Sequence, residues 1–144
     1  MPIPNTTVIE LLKNAKKLTP EQLTALESEA TSDKSNIEEL VVQMNITTDT
    51  ELTQLFADEI GVPYIEINVK ELNKEILLQL PENIAKLYNM VVFGGSIDEP
   101  NEPRQIAMLD PDDLQAIDVL HKLFGKNVNL FIATKFNILA ALDQ

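Results

Sequence analysis

The sequence predicts an α+β chain: a duplicated helical hairpin of four short helices over residues 1–60, packed on a small mixed β-sheet with covering helices over residues 61–144. Three observations lead there. Helix-start signals of the form S/T-x-x-E/Q recur four times before Gly61. The apolar pattern of the first two helices returns after a shift of about 29 residues. Beyond Gly61 the hydrophobic period changes from helical to alternating.

The four starts are Thr7 with Glu10, Thr19 with Gln22, Ser35 with Glu38, and Thr48 with Glu51. In each, the hydroxyl is placed to accept a free N–H of the first turn while the acid or amide reaches back. Pro20 follows Thr19 at the first helical position, where its missing N–H costs nothing. Apolar stripes at helical spacing follow: Val8, Leu11, Leu12, Ala15; Leu23, Leu26, Ala30; Ile37, Leu40, Val41, Met44; Leu52, Leu55, Phe56, Ile60. The repeat sets Val8 on Ile37, Leu11 on Leu40, Leu12 on Val41, Thr19 on Thr48, Leu23 on Leu52 and Leu26 on Leu55. Helices this short need packing to be stable. Two equivalent hairpins form either a plain bundle or a pair of surfaces suited to a two-fold ligand or partner.

Gly61 and Pro63 stop the fourth helix, and Val62–Ile67 alternates as a short strand. Leu77, Leu80, Ile84 and Leu87 mark helical segments, with Pro81 opening a new helix. Met90–Phe93 and Arg104–Leu109 read as strands joined by a long polar loop from Gly94 to Pro103, with Asp98, Glu99 and Glu102 as exposed acids able to meet a basic partner. Asp110 is the expected N-cap of the next helix, with Pro111 at its first position and Leu114, Ile117, Leu120, Leu123 and Phe124 as its buried stripe. Gly125 ends that helix, Val128–Ile132 is a strand, and Lys135–Leu142 is a closing helix. The order β-α-β-β-α-β-α leaves room for a right-handed parallel crossover between Arg104 and Ile132.

Composition narrows the function. A net charge of −12 opposes non-specific nucleic-acid binding and attraction to anionic lipid. Cysteine is absent, which removes disulfides, thiol catalysis and thiolate metal sites. The start Met1-Pro2-Ile3-Pro4-Asn5 lacks the basic and apolar regions of a signal peptide, so a cytoplasmic location without membrane insertion is expected. Gly125-Lys126 does not make a phosphate loop, because Leu120 and Asn127 stand where a glycine and a hydroxyl are needed. Asp110, Asp112 and Asp113 are accounted for by a helix start, and the single histidine, His121, by a helix end. No catalytic or metal-binding residue is assigned, and the domain is read as non-enzymatic.

Three ordered landmarks carry a family resemblance: Ala57-Asp58-Glu59-Ile60-Gly61-Val62-Pro63-Tyr64-Ile65-Glu66-Ile67, Leu80-Pro81-Glu82-Asn83-Ile84-Ala85, and Ala107-Met108-Leu109-Asp110-Pro111-Asp112-Asp113-Leu114. They resemble the N-terminal domain of bacterial type IV pilus and type II secretion assembly ATPases, the general secretion pathway E-type N-terminal domain. The resemblance implies a docking and regulatory module that links a cytoplasmic motor to inner-membrane platform proteins. The module is then peripheral to that membrane, and its hexameric parent hydrolyses ATP in a separate domain.

One branch of that family binds cyclic di-GMP through a duplicated Arg-Leu-Gly opening, a mid-motif glycine and a closing glutamine. Carried onto this sequence, the openings fall on Thr7-Val8-Ile9 and Asn36-Ile37-Glu38, the glycines on Lys16 and Asn45, and the glutamines on Ala30 and Glu59. The leucine framework persists as Leu11, Leu12, Leu23, Leu40, Val41 and Leu52. Threonine and asparagine cannot replace an arginine's charge and planar donor fork. The resemblance therefore implies a degenerate cyclic di-GMP site at Thr7, Lys16, Asn36 and Asn45, and no other cofactor.

Overall fold

The computed structural model describes residues 3–30, 36–95 and 101–143, and its first helix begins earlier than the Thr7 signal predicts. Helix α1 spans Asn5–Asn14 behind Pro4, which offers no side-chain cap. Thr7 thus lies inside the first turn, and the expected Thr7–Glu10 capping box gives way to a longer helix. Helix α2 spans Pro20–Ala30, and here the box forms in full. The Thr19 amide donates to Gln22 Oε1 at 3.0 Å, and the Gln22 amide donates to Thr19 Oγ1 at 3.1 Å.

Helix α3 spans Ile37–Gln43 and is capped by Asn36, whose side chain accepts from the Glu39 amide. Ser35, the expected cap, lies outside the described residues. Helix α4 spans Asp49–Ile60, with the Glu51 amide on Thr48 Oγ1 at 3.1 Å. Helix α1 packs against each of α2, α3 and α4. Val8, Leu12, Leu26, Ile37, Val41 and Leu52, all members of the expected stripes, are almost wholly buried, but Met44 of the third stripe lies beyond the end of α3 and is 41% exposed. Residues 3–60 belong to one compact unit and the remainder to a second, which begins at Gly61.

In the second unit, strands β1 (Met90–Gly94), β2 (Arg104–Met108) and β3 (Val128–Ile132) form a sheet in that order. The first pair is antiparallel and the second parallel, which is the mixed sheet expected for the hairpin followed by a crossover. A three-residue 3₁₀ turn (Val69–Glu71), α5 (Lys74–Leu77) and α6 (Glu82–Tyr88) precede the sheet. Pro81 is the N-cap of α6 rather than its first helical residue. Helix α7 (Leu114–Phe124) forms the crossover, and α8 (Lys135–Leu142) follows β3.

Alternation along the strands sorts the core onto two faces. Met90, Val92, Ile106 and Met108 pack with Ala85 of α6 and with Ala116 and Leu120 of α7. Val91 and Ala107 pack with Ile138 and Ala141 of α8 and with Ile67 and Leu77. On the sheet, Phe93 and Phe131 meet edge to face with ring centroids 5.3 Å apart.

Three expectations are corrected here. Val62–Ile67 is not a full strand: it makes one parallel bridge, Tyr64 to Ile132. The Ile65 amide donates to the Ile132 carbonyl at 2.9 Å, but two residues later the Asn137 side chain intervenes. Asn137 Oδ1 accepts from the Ile67 amide at 2.7 Å and its Nδ2 donates to the Ile67 carbonyl at 3.1 Å, so Ile67 has no need of a strand neighbour. The N-cap of α7 is Asp113, which accepts from the Gln115 and Ala116 amides, while Asp110 only closes a turn onto the Asp112 amide. With the helix beginning later, its buried face is Ala116 and Leu120, and the expected core residues Leu114 and Leu123 are exposed at 74% and 45%. In the loop after β1, Asp98 and Glu99 lie outside the described residues, and Glu102 is exposed.

Candidate functional site

Each helical hairpin turns through the same backbone motif. After α1, the Lys16 amide donates to the Lys13 carbonyl and the Lys17 amide to the Leu12 carbonyl. After α3, the Asn45 amide donates to the Val42 carbonyl and the Ile46 amide to the Val41 carbonyl. This is the Schellman ending, which requires a left-handed residue at its pivot. Lys16 and Asn45 supply it with φ of 59° and 58°. These are the two positions where glycine is expected from the family pattern. The conformation suited to glycine therefore persists under residues with side chains, and both side chains are exposed.

The two opening positions are not equivalent. Asn36 is an exposed helix cap, whereas Thr7 is half-buried within α1. Thr7 lines a hollow of about 200 Å³ with Thr6, Glu10, Leu11, Asn14 and Glu59. It thus shares a lining with Glu59, one of the two closing-glutamine positions. Lys16, Asn36 and Asn45 do not line this hollow. Ala30, the other closing position, lines a second hollow of about 330 Å³ with Thr6, Ile9, Glu10, Lys13 and Glu27. The contributions of Thr6, Glu10 and Asn14 were missed by motif reading. Their spacing of four along α1 places them on one helical face, and that periodicity is the signal that marks them.

Among the described residues, the first hollow offers hydroxyls, an amide and two carboxylates and no cation. A phosphate diester gains most from charge-assisted, forked donors, and no described residue of the lining supplies one. Among the described residues, the second hollow adds a lysine beside two glutamates. Between the turns, Lys17 Nζ lies 3.2 Å from Glu51 Oε2, and Thr47 Oγ1 donates to the same oxygen at 3.1 Å. The lysine contact and the Thr47 hydroxyl hold the Glu51 carboxyl below its ordinary range. A cation from the first hairpin is thereby engaged with an acid of the second.

Elsewhere, Gly125 is the cap of α7 with φ of 74°, its amide on the His121 carbonyl at 2.9 Å. His121 lies in the last turn of the same helix. Among the described residues no group of three or more His, Cys, Asp or Glu side chains is arranged to hold a metal ion. Among them, too, no helix is long and apolar enough to cross a membrane.

Comparison with known proteins places these features in context. The MshEN domain model matches residues 60–144, more than half of the chain. The type IV pilus assembly ATPase PilB of Myxococcus xanthus is 23% identical over 94% of the chain. The protein of the same name from Thermus thermophilus is 26% identical over 92% of it. The chain spans only 23% and 15% of those relatives' own lengths. Among solved structures, MshE with cdg (cyclic di-GMP) superposes with a TM-score of 0.69 at 22% identity, covering 94% of this chain and 96% of the other. The N-terminal domain of XpsE superposes with a TM-score of 0.62 at 16% identity, covering 99% and 96%.

Proposed function

The chain belongs to the MshEN domain family, and from that premise we propose that it is the N-terminal docking and regulatory module of a type IV pilus or type II secretion assembly ATPase. In this role it links the cytoplasmic motor to inner-membrane platform proteins, and chemistry belongs to an ATPase domain of the same parent, assembled as a hexamer. The observation that carries the reading is the alignment of nearly the whole chain with the pilus ATPase PilB from two organisms. The acidic balance of −12 favours a basic docking partner. The test is a binding titration of the purified chain against the cytoplasmic segments of the platform proteins encoded with its parent. Saturable binding that weakens with salt supports docking. No binding to any platform segment refutes it.

A second reading, a cyclic di-GMP receptor that regulates the motor, has two observations in its favour. The structural neighbour MshE is seen with that ligand. Both left-handed turns at Lys16 and Asn45 keep a backbone suited to glycine. Against it stand Thr7 and Asn36 at the arginine positions and the two carboxylates in the Thr7 hollow. We expect affinity weaker than about 100 μM in moderate salt by calorimetry, equivalent to less than about 5.5 kcal/mol of binding free energy. A low-micromolar constant sinks the degenerate-site argument.

A further inference from the structure

Helix α8 is fixed from its inner side. Its start is capped by Thr134, whose hydroxyl oxygen accepts from the Asn137 amide at 3.1 Å. Asn137 in turn holds both backbone groups of Ile67, and Ile138 and Ala141 are fully buried with Val91 and Ala107 of the sheet. The outer side is left bare: Phe136 is 82% exposed and Leu139, one turn on, is 40% exposed. Lys135 and Asp143, four residues before and after Leu139, are exposed as well, which puts Lys135, Leu139 and Asp143 on one face. Each of the two charges stands at the wrong end of its own helix. Lys135 is the first helical residue, where the dipole is positive, and Asp143 is the C-cap, where it is negative. Neither is ion-paired to a described residue. Asp143 acts on Lys86 of α6 at a distance, but that lysine is already paired with Glu82 at 2.8 Å.

We propose that this face is a self-association surface, on which a second copy of the chain packs its α8 antiparallel to this one about a two-fold axis at Leu139. Antiparallel packing reverses the ends. Lys135 then meets Asp143 and the negative helix end of the second copy, while Asp143 meets Lys135 and the positive end. Charges that oppose a lone helix become complementary on both sides of the axis. The two Leu139 side chains meet at the centre, and each Phe136 leaves water beside them. A parallel arrangement fails, because it sets Lys135 against Lys135 and Asp143 against Asp143. The overall charge of −12 repels a second copy, so the attraction has to come from this local match. Helix α8 has eight residues and is about 12 Å long, so the face buries less than a standard interface of about 1,600 Å². The dimer is accordingly weak, with a dissociation constant of about 0.1–1 mM.

Sedimentation equilibrium of the full chain at up to about 1 mM tests the contact. A monomer–dimer equilibrium supports it; a chain that stays monomeric overturns it and leaves the face to another occupant. Phe136→Ala should weaken the dimer at least about tenfold, because both phenyl rings of the contact are lost. Leu114→Ala should leave it unchanged, since Leu114 is an exposed apolar residue of α7, on the other face of the sheet. Lys135→Asp and Asp143→Lys should each weaken association at least about threefold. Both changes suit the dipole of α8 and favour the folded monomer, so a weaker dimer is not a sign of unfolding. Asp143→Lys also lowers the net negative charge, for which general repulsion alone gives the opposite result. An equimolar mixture of the two charge variants should associate again, because each supplies the charge that the other lacks. Association untouched by either reversal, or a mixture no stronger than its components, refutes the antiparallel pairing.

Discussion

Replacing Lys16 by glycine should stabilise this protein, although the change deletes a whole side chain. Lys16 holds φ of 59° at the pivot of the first Schellman turn, and its side chain is exposed. Among the described residues that side chain makes no ion pair, so its removal breaks none. A left-handed conformation costs a residue with a Cβ about 1–2 kcal/mol, from the approach of Cβ to the following carbonyl. Glycine lifts that strain but loses about 0.5–1 kcal/mol through the greater freedom of its unfolded chain. The net expectation is a gain of about 0.5–1 kcal/mol. Asn45→Gly should gain less, because asparagine tolerates this region through local hydrogen bonds. Lys16→Ala keeps the Cβ and should be close to neutral. Urea titrations with a common m-value measure all three. Loss of stability in Lys16→Gly while Lys16→Ala stays neutral would refute the left-handed turn as the source of strain.

Other outcomes follow from the packing and the caps. Asp113→Ala should cost about 0.5–2 kcal/mol by removing the acceptor for two first-turn amides, with Asp110→Ala costing less; the reverse order by urea titration would return the helix start to Asp110. Phe56→Ala should cost about 3–5 kcal/mol, since Phe56 is 5% exposed and a cavity remains after truncation. A cost below about 1 kcal/mol would show that the site is not packed. The raised Glu38 carboxyl makes stability greatest below about 4.5 and lowers it as pH rises through about 7, by about 1–2 kcal/mol once solvent screening is allowed for. Glu51 acts oppositely: its depressed carboxyl stabilises above the ordinary carboxylate range, and that contribution disappears as pH falls. Comparing denaturation of the unaltered chain and Glu38→Gln across pH isolates the Glu38 part, and parallel profiles would refute it.

Local signals were the legible ones. The Thr19–Gln22 box could be read directly because its two hydrogen bonds join residues three apart and need no third partner. The stripe of α1 was legible for a similar reason, since helical periodicity names the buried face whatever covers it, whereas that of α3 was legible only in part, with Met44 exposed and Glu38 buried. The alternation of β1 and β2 likewise separated the residues of the two sheet faces. The site was legible only in part. The family pattern points to Thr7, Lys16, Asn36 and Asn45, but it could not tell that Thr7 and Glu59 line one hollow whose described lining lacks the other three.

Several neighbouring residues can cap the helix after β2, and the choice among Asp110, Asp112 and Asp113 is not local. Each residue of delay rotates a helix by about 100°. With the start at Leu114, Ala116 and Leu120 lie against Ile106 and Met108 of the sheet. Asp113 is the one that accepts two first-turn amides. Val62–Ile67 has strand alternation in its sequence, but its length as a strand was settled by Asn137, a residue 70 positions away. Glu38 reads as the acid of a capping box and is instead buried against Ile3, 35 residues earlier. Sequence alone marked which segments are helical or extended and much of their apolar faces, because backbone hydrogen bonding and side-chain period act over a few residues. Tertiary structure decided where those segments stop and which polar groups go inside, because the groups that satisfy them are distant in the chain.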